Sequence, residues 1–218
     1  MNYEVFETKE RVLADNERAA REIGEMLREK GAFFVNLMAS PGAGKTTTLE
    51  RLIELLKDKF RIGVMEADAD GETDAARVEA AGARAIQLHT GGLCHMDADM
   101  TKRGLERLGT DGLDLIFLEN VGNLVCPAEF DTGADLKLMI LSVPEGDDKP
   151  LKYPLMFTVS DALIVNKLDT LPVFDFDMEA LCERVSKLNP DMPVFPVSAK
   201  TGEGFEALAA YVERRAGK

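Results

Sequence analysis

Residues 39–46 read Ala-Ser-Pro-Gly-Ala-Gly-Lys-Thr, set between the apolar run Ala32–Ala39 and a helical stretch over Lys45–Lys59. No other segment constrains the fold as much. A short apolar run that breaks at glycines and restarts as a helix aims backbone N–H groups and the helix's positive end at one spot. The sequence pattern for such a phosphate cradle is G-x-x-x-x-G-K-[ST], and here Ala39 replaces its first glycine. Alanine still leaves little side chain to crowd the turn. Gly42, Ala43 and Gly44 then bring N–H groups toward phosphate oxygens. Lys45 is placed to reach the β- and γ-phosphates, the Thr46 hydroxyl to hold Mg²⁺, and Thr47 to touch the α-phosphate.

The same alternation runs along the chain. Apolar runs at Arg61–Ala67, Ala83–Leu88, Leu113–Glu119, Leu136–Val143, Ala162–Asn166 and Val194–Val197 read as strands. Helical spacing marks residues 8–30, with Gly31 as the stop, and then Asp74–Ala81, Asp97–Leu108, Asp177–Leu188 and Gly204–Arg214. Continuously apolar strands alternating with helices predict an α/β fold, a mostly parallel central sheet with helices on both faces. With the phosphate cradle, this is the fold of a P-loop nucleoside triphosphatase. At 218 residues one core suffices, so residues 1–218 are expected to form a single domain. Residues 1–31 are its N-terminal helical segment and 32–218 its core. The least regular stretches, Asn120–Asp135 and Glu145–Pro154, are long enough to suggest functional loops.

Charge narrows the partners. Against 39 acidic residues stand 26 Lys and Arg, a net −13, which argues against nucleic-acid binding as the main task. No apolar run approaches the roughly 20 residues that cross a bilayer, so no membrane role is expected. The start MNYEVFETKE lacks the basic and apolar regions of a secretion signal, and the cysteine count, three, is odd. Reduced thiols and a cytoplasmic location are the expectation.

Asn166-Lys167-Leu168-Asp169 ends an apolar strand, where α/β nucleotide sites open. It has the N-K-x-D form of a guanine-reading turn. The Asp169 carboxylate can accept from both N1–H and the exocyclic amine of guanine, whereas adenine offers an acceptor at N1 and no 2-amine. Ser198-Ala199-Lys200 after the last strand backs the same base pocket. Asp68, closing the second strand, is placed to hold Mg²⁺ with Thr46, and Asp70 and Asp74 compete for that role. Glu119-Asn-Val-Gly122 stands where many GTPases carry D-x-x-G. Gly122 N–H can sense the γ-phosphate, and Glu119 can organise Mg²⁺-bound water or hold the switch geometry. Lys45, Asp68 and Glu119 are thus the expected catalytic set, with GTP as substrate and GDP as product. No glutamine or arginine declares itself as a water-positioning group, so turnover is expected to be slow.

Cys94-His95 and Cys126-Pro127 carry the remaining unusual chemistry. Thiolate and imidazole suit Ni²⁺ and Zn²⁺, but free cysteines also serve as small apolar packing residues, and on spacing alone both readings stand. Cys182, within Leu181-Cys-Glu-Arg-Val, reads as helix core, and His89 as a hydrogen-bonded strand end. The ordered set ASPGAGKT, D-A-A-R after Asp68, CHMDA, ENVGNLVCPAEFD, EGDD, NKLD and SAKTGEGF resembles the hydrogenase nickel-incorporation GTPases, the HypB family. The likeness runs from residue 32 onward. It implies GTP-dependent delivery of nickel during [NiFe]-hydrogenase maturation and a nucleotide-driven homodimer. It also implies Cys94, His95 and Cys126 as interfacial Ni²⁺ or Zn²⁺ ligands, with a maturation co-chaperone and the hydrogenase large subunit as partners. Residues 1–31 lack the cysteine- or histidine-rich tract that some members carry. The related urease nickel-accessory GTPases, with a Cys-Pro-His motif absent here, and a metal-free regulatory GTPase are the alternatives.

Overall fold

The computed structural model describes residues 8–68 and 73–217, and, within helices, the side chains from residue 12 onward and from residue 74 onward. Among these residues seven strands form one sheet: β1 (Phe33–Ala39), β2 (Ile62–Asp68), β3 (Arg84–His89), β4 (Leu115–Glu119), β5 (Leu136–Ser142), β6 (Ala162–Asn166) and β7 (Val194–Pro196). All pairings are parallel, in the order β3-β2-β4-β1-β5-β6-β7. β1 lies in the centre, so the turn that follows it opens in the middle of the sheet's C-terminal edge.

Period-2 alternation sorts each strand's side chains between two faces. Val35, Leu37 and Ala39 of β1, with Ile62 and Val64 of β2 and Leu115 and Phe117 of β4, pack under helices α2 (Lys45–Leu56), α3 (Thr73–Ala81) and α9 (Phe205–Arg215). Phe34, Met65, Ile116 and Leu118 point the other way, against α1 (Thr8–Glu29) and α4 (Ala98–Leu108). On that second face, the half of the sheet nearer β7 is covered by two further helices. Met139, Leu141, Leu163 and Val165 meet Met156 and Phe157 of α7 (Pro154–Val159) and Leu181 and Val185 of α8 (Met178–Leu188).

The expected strands and long helices are all present, with shifted ends. The strand expected from Leu113 starts at Leu115, because Asp114 N–H is spent on the Arg61 carbonyl and its carboxylate pairs with the Arg61 guanidinium at 2.9 Å. Helix α2 ends at Leu56, where Lys57 N–H closes the last turn on Ile53. The two irregular stretches hold short helices with no long apolar period to announce them. These are α5 (Cys126–Glu129), opened by Pro127, and α6 (Lys149–Lys152), opened by Pro150. Cys182 is corrected: on α8 Leu181 and Val185, four apart, face the core, which turns Cys182 to solvent. Among the described residues no helix is long and apolar enough to cross a membrane.

Candidate functional site: a nucleotide pocket beside a thiol–imidazole cluster

At the C-terminal edge of β1, a pocket of about 510 Å³ is bordered by Gly42, Lys45, Thr46, Thr47, Asp68, Glu119 and Gly122, among others. Two glycines are needed there for different reasons. Gly44 has φ +96°, and a Cβ on it would lie 2.5 Å from the Asn166 amide nitrogen. A Cβ on Gly122 would meet the Pro41 ring and backbone nitrogen at 3.0 Å, so only glycine lets the segment after β4 approach the turn after β1 so closely.

The segments expected to read a base converge on the same turn. Asn166 Nδ2 donates to the Ala43 carbonyl at 3.0 Å, while its Oδ1 accepts from Lys167 N–H and Ala199 N–H. Lys167, the one non-glycine with positive φ among the described residues (+64°), turns its ammonium back to the Gly42 carbonyl at 2.6 Å. Ser198 Oγ donates to Asp169 Oδ1 at 2.7 Å, and Lys200 Nζ lies 3.8 Å from Asp169 Oδ2. Asp169 is therefore held by one hydroxyl and one cation while keeping acceptor capacity for a ligand.

Thr46 Oγ1 donates to Glu119 Oε1 at 3.0 Å, and Glu119 Oε2 is buried with no partner. Beside it is a residue that sequence reasoning passed over. Glu66 of β2 pairs in register with Glu119, is 2 % exposed, and leaves Oε1 unpartnered. Burial first, and the neighbouring Glu119 charge second, push the Glu66 carboxyl up to about 10, and burial raises Glu119 too. One signal was available in the sequence. Glu66 interrupts the apolar run Arg61–Ala67 at a position of core parity, which a carboxyl rarely occupies without a task.

Arg77 was also overlooked. It borders the pocket, forks onto Glu50 at 2.7 and 3.0 Å, and reaches Asp74 at 3.2 Å and Thr47 Oγ1 at 3.4 Å. Asp70 lies outside the described residues. Asp74 sits in the first turn of α3.

The thiols and imidazole meet on the other side of the segment after β4. Cys94 Sγ lies 3.0 Å from Cys126 Sγ and 3.8 Å from His95 Nδ1, and the candidate ligand atoms of all three residues fall within 4.8 Å of one another. No disulfide joins them. The Phe130 ring stacks on His95 with centroids 4.1 Å apart, and burial lowers the imidazole's pKa, which favours the neutral ring that ligates metal. The hydrogen bond and charge of Cys94 raise the Cys126 thiol. His89, exposed at the end of β3, stands outside this cluster.

The two sites share a buried amide. Asn120 Oδ1 accepts from Met96 N–H at 3.1 Å and from Val121 N–H at 2.9 Å, and its Nδ2 donates to Asn36 Oδ1 at 3.2 Å. One side chain thus ties the backbone beside His95 to the segment that forms the pocket wall.

Comparison with known proteins shows the family. The model of the CobW/HypB/UreG nucleotide-binding domain matches residues 33–196. The hydrogenase maturation factor HypB of Azotobacter chroococcum mcd 1 is 48% identical over 208 residues, covering 94% of this chain and 68% of its own length. The hydrogenase/urease maturation factor HypB of Helicobacter hepaticus is 40% identical over 219 residues, covering 99% of this chain and 90% of its own. Among solved structures, that of HypB from Helicobacter pylori in complex with nickel superposes with a TM-score of 0.87. It is 39% identical and covers 93% of this chain and 95% of that one. Through its parallel sheet, its nucleotide pocket and these relatives, the chain belongs to the CobW/HypB/UreG nucleotide-binding family and, within it, to the HypB hydrogenase maturation factors.

Proposed function

We propose that the chain hydrolyses GTP and uses the nucleotide state to control a nickel ion carried at Cys94, His95 and Cys126 during [NiFe]-hydrogenase maturation. The observation that carries this reading is the Asn120 bridge. It joins the Glu119–Gly122 wall of the nucleotide pocket to the backbone next to His95, while Cys126 follows Gly122 by four residues. Gain or loss of a γ-phosphate that moves Gly122 would therefore bear on both ligand segments. At equilibrium the coupling must run both ways, so nickel would change nucleotide affinity by the same factor.

In this reading Gly42, Ala43, Gly44 and Lys45 hold the phosphates, Thr47 the α-phosphate, and Asn166, Lys167, Asp169, Ser198, Ala199 and Lys200 the guanine. Thr46 and Asp68 hold Mg²⁺. The donor set fits the ion, because the Thr46 hydroxyl and an unpartnered Glu119 oxygen face one pocket. Once bound, Mg²⁺ neutralises charge that builds on the phosphates. Lys45, Asp68 and Glu119 act around the phosphates, with Glu119, bonded to the Thr46 hydroxyl, organising the water bound to Mg²⁺ or holding the switch geometry. Lys45→Ala is expected to weaken GTP binding at least tenfold, because one charge-assisted contact contributes about 1.5–3 kcal/mol. Unchanged affinity and turnover would remove the phosphate assignment.

A closed tetrahedral Zn²⁺ site takes four ligands, and each chain offers three. Two-fold pairing would supply enough for one shared Ni²⁺ or Zn²⁺. Leu93 and Val125, each 51 % exposed beside the cysteines, give such a pairing its apolar rim. We therefore expect a homodimer favoured by GTP, working in the cytoplasm with a maturation co-chaperone and the hydrogenase large subunit. Sedimentation in GDP and in a non-hydrolysable GTP analogue tests this, with more dimer expected in the analogue. Equal monomer fractions in both would count against nucleotide-gated pairing. A urease client is the second reading, favoured by the name of the Helicobacter hepaticus relative.

A further inference from the structure

Three unpartnered acceptor oxygens face the nucleotide pocket from three neighbouring strands. They are Oε2 of Glu119 on β4, Oε1 of Glu66 on β2, and Oε1 of Gln87 on β3. Register makes them a row: Glu66 lies opposite Glu119 on one side and opposite Gln87 on the other. Strand alternation explains their shared direction. Val64 of β2, Phe117 of β4 and Ala85 of β3, each two residues earlier, pack on the α2 side of the sheet. The next residue of that parity on each strand, Glu66, Glu119 or Gln87, therefore borders the pocket that Lys45 and Thr46 also line. The apolar floor under α2 ends in a polar row where the phosphates would lie.

Few donors from the surrounding protein reach the row. Gln87 donates its Nε2 to the Glu66 carbonyl at 3.0 Å, which turns its Oε1 away from that bond. Glu66 Oε1 and Glu119 Oε2 receive no hydrogen bond from a neighbouring amide, hydroxyl or cation. A buried row of two adjacent carboxyls and a carboxamide oxygen is matched by a ligand that brings positive charge and hydrogen-bond donors. Mg²⁺ has that chemistry. It dehydrates reluctantly, keeps several waters, and those waters present their hydrogens outward.

We propose that Glu66 and Gln87 hold the water shell of the nucleotide's Mg²⁺, behind the inner contacts of Thr46 and Asp68. The inference rests on the nucleotide reading above and adds two residues to it. Glu119 anchors the row at the P-loop end through Thr46, Glu66 forms its middle, and Gln87 its outer end. Outer-sphere partners of this kind typically change metal affinity by about tenfold to a hundredfold.

The measurement is the affinity of a non-hydrolysable GTP analogue in saturating Mg²⁺ and in EDTA. The ratio of the two isolates the cation's contribution from that of the phosphates and base. Glu66→Gln and Gln87→Met keep side-chain length, and both are expected to lower that ratio by at least fivefold. A purely structural row would lower thermal stability and leave the ratio alone. Ratios within twofold of wild type in both variants would overturn the proposal, and a drop in one confines the role to that residue. Gln87→Met, on the outer and partly exposed strand β3, carries the test should Glu66→Gln not fold. If the wild type binds the analogue in neither condition, the nucleotide reading itself fails. Binding with an unchanged ratio removes only the cation role.

Discussion

Asp169→Asn is expected to turn the base preference from guanine to xanthine. The carboxylate can accept two hydrogen bonds, from guanine N1–H and its 2-amine, and an Asn amide offers one acceptor and one donor. The donor then faces the guanine amine, while xanthine presents a 2-oxo group that accepts it. Charge-assisted hydrogen bonds contribute about 1.5–3 kcal/mol each, so losing the bond to the 2-amine, losing charge assistance on the bond from N1–H, and setting a donor against a donor together weaken GTP by roughly a hundredfold. Ser198 Oγ, at 2.7 Å, and Lys200, at 3.8 Å, already orient the carboxylate, which makes the site selective rather than merely sticky. Competition between GTP, ATP and xanthosine triphosphate on wild type and variant reads the effect. Wild-type protein that binds ATP as tightly as GTP would show that Asp169 does not read the base.

Cys94→Ala and Cys126→Ala are each expected to weaken nickel and zinc binding by more than about a hundredfold. Loss of an outer-shell partner alone typically costs tenfold to a hundredfold, and these thiols are candidate direct ligands. The sulfurs lie 3.0 Å apart, so each removal takes away one of two thiolates from the same ion. GTP binding should persist, because neither cysteine borders the nucleotide pocket. Cys182→Ala is the control, since its thiol is exposed on α8, away from the cluster. Titrations in GDP and in a GTP analogue add the second dimension. If the nucleotide acts through Asn120 and the Gly122–Cys126 segment, wild-type metal affinity differs between the two states. Site variants that bind metal like wild type in both states would leave a metal-free switch as the better reading.

Local spacing sufficed to mark the strand–turn–helix over Ala39–Thr46 and the strand-end turn at Asn166–Asp169, because each is made of consecutive residues whose backbone conformation follows from the local sequence. Gly42, Gly44 and Lys45 need only a strand before them and a helix after them, and Asn166–Asp169 needs only a strand end. The sheet class was legible for a similar reason, since strands buried on both faces leave continuous apolar runs. Strand order was not written in any window of the chain. It follows from how helices pack across the sheet, and it alone puts β3, β2 and β4 side by side. Glu66, Gln87 and Glu119 become one polar row only through that order, which is why a carboxyl inside an apolar run was passed over. The same holds for Cys94 and Cys126, 32 residues apart and ambiguous by spacing, whose sulfurs meet where the loop after β3, bonded through Met96 N–H to Asn120, packs beside the segment after β4. Chemistry carried by one turn was determined by the sequence itself. Chemistry shared between strands was decided by the tertiary structure, because contact between distant residues depends on packing rather than on their separation along the chain.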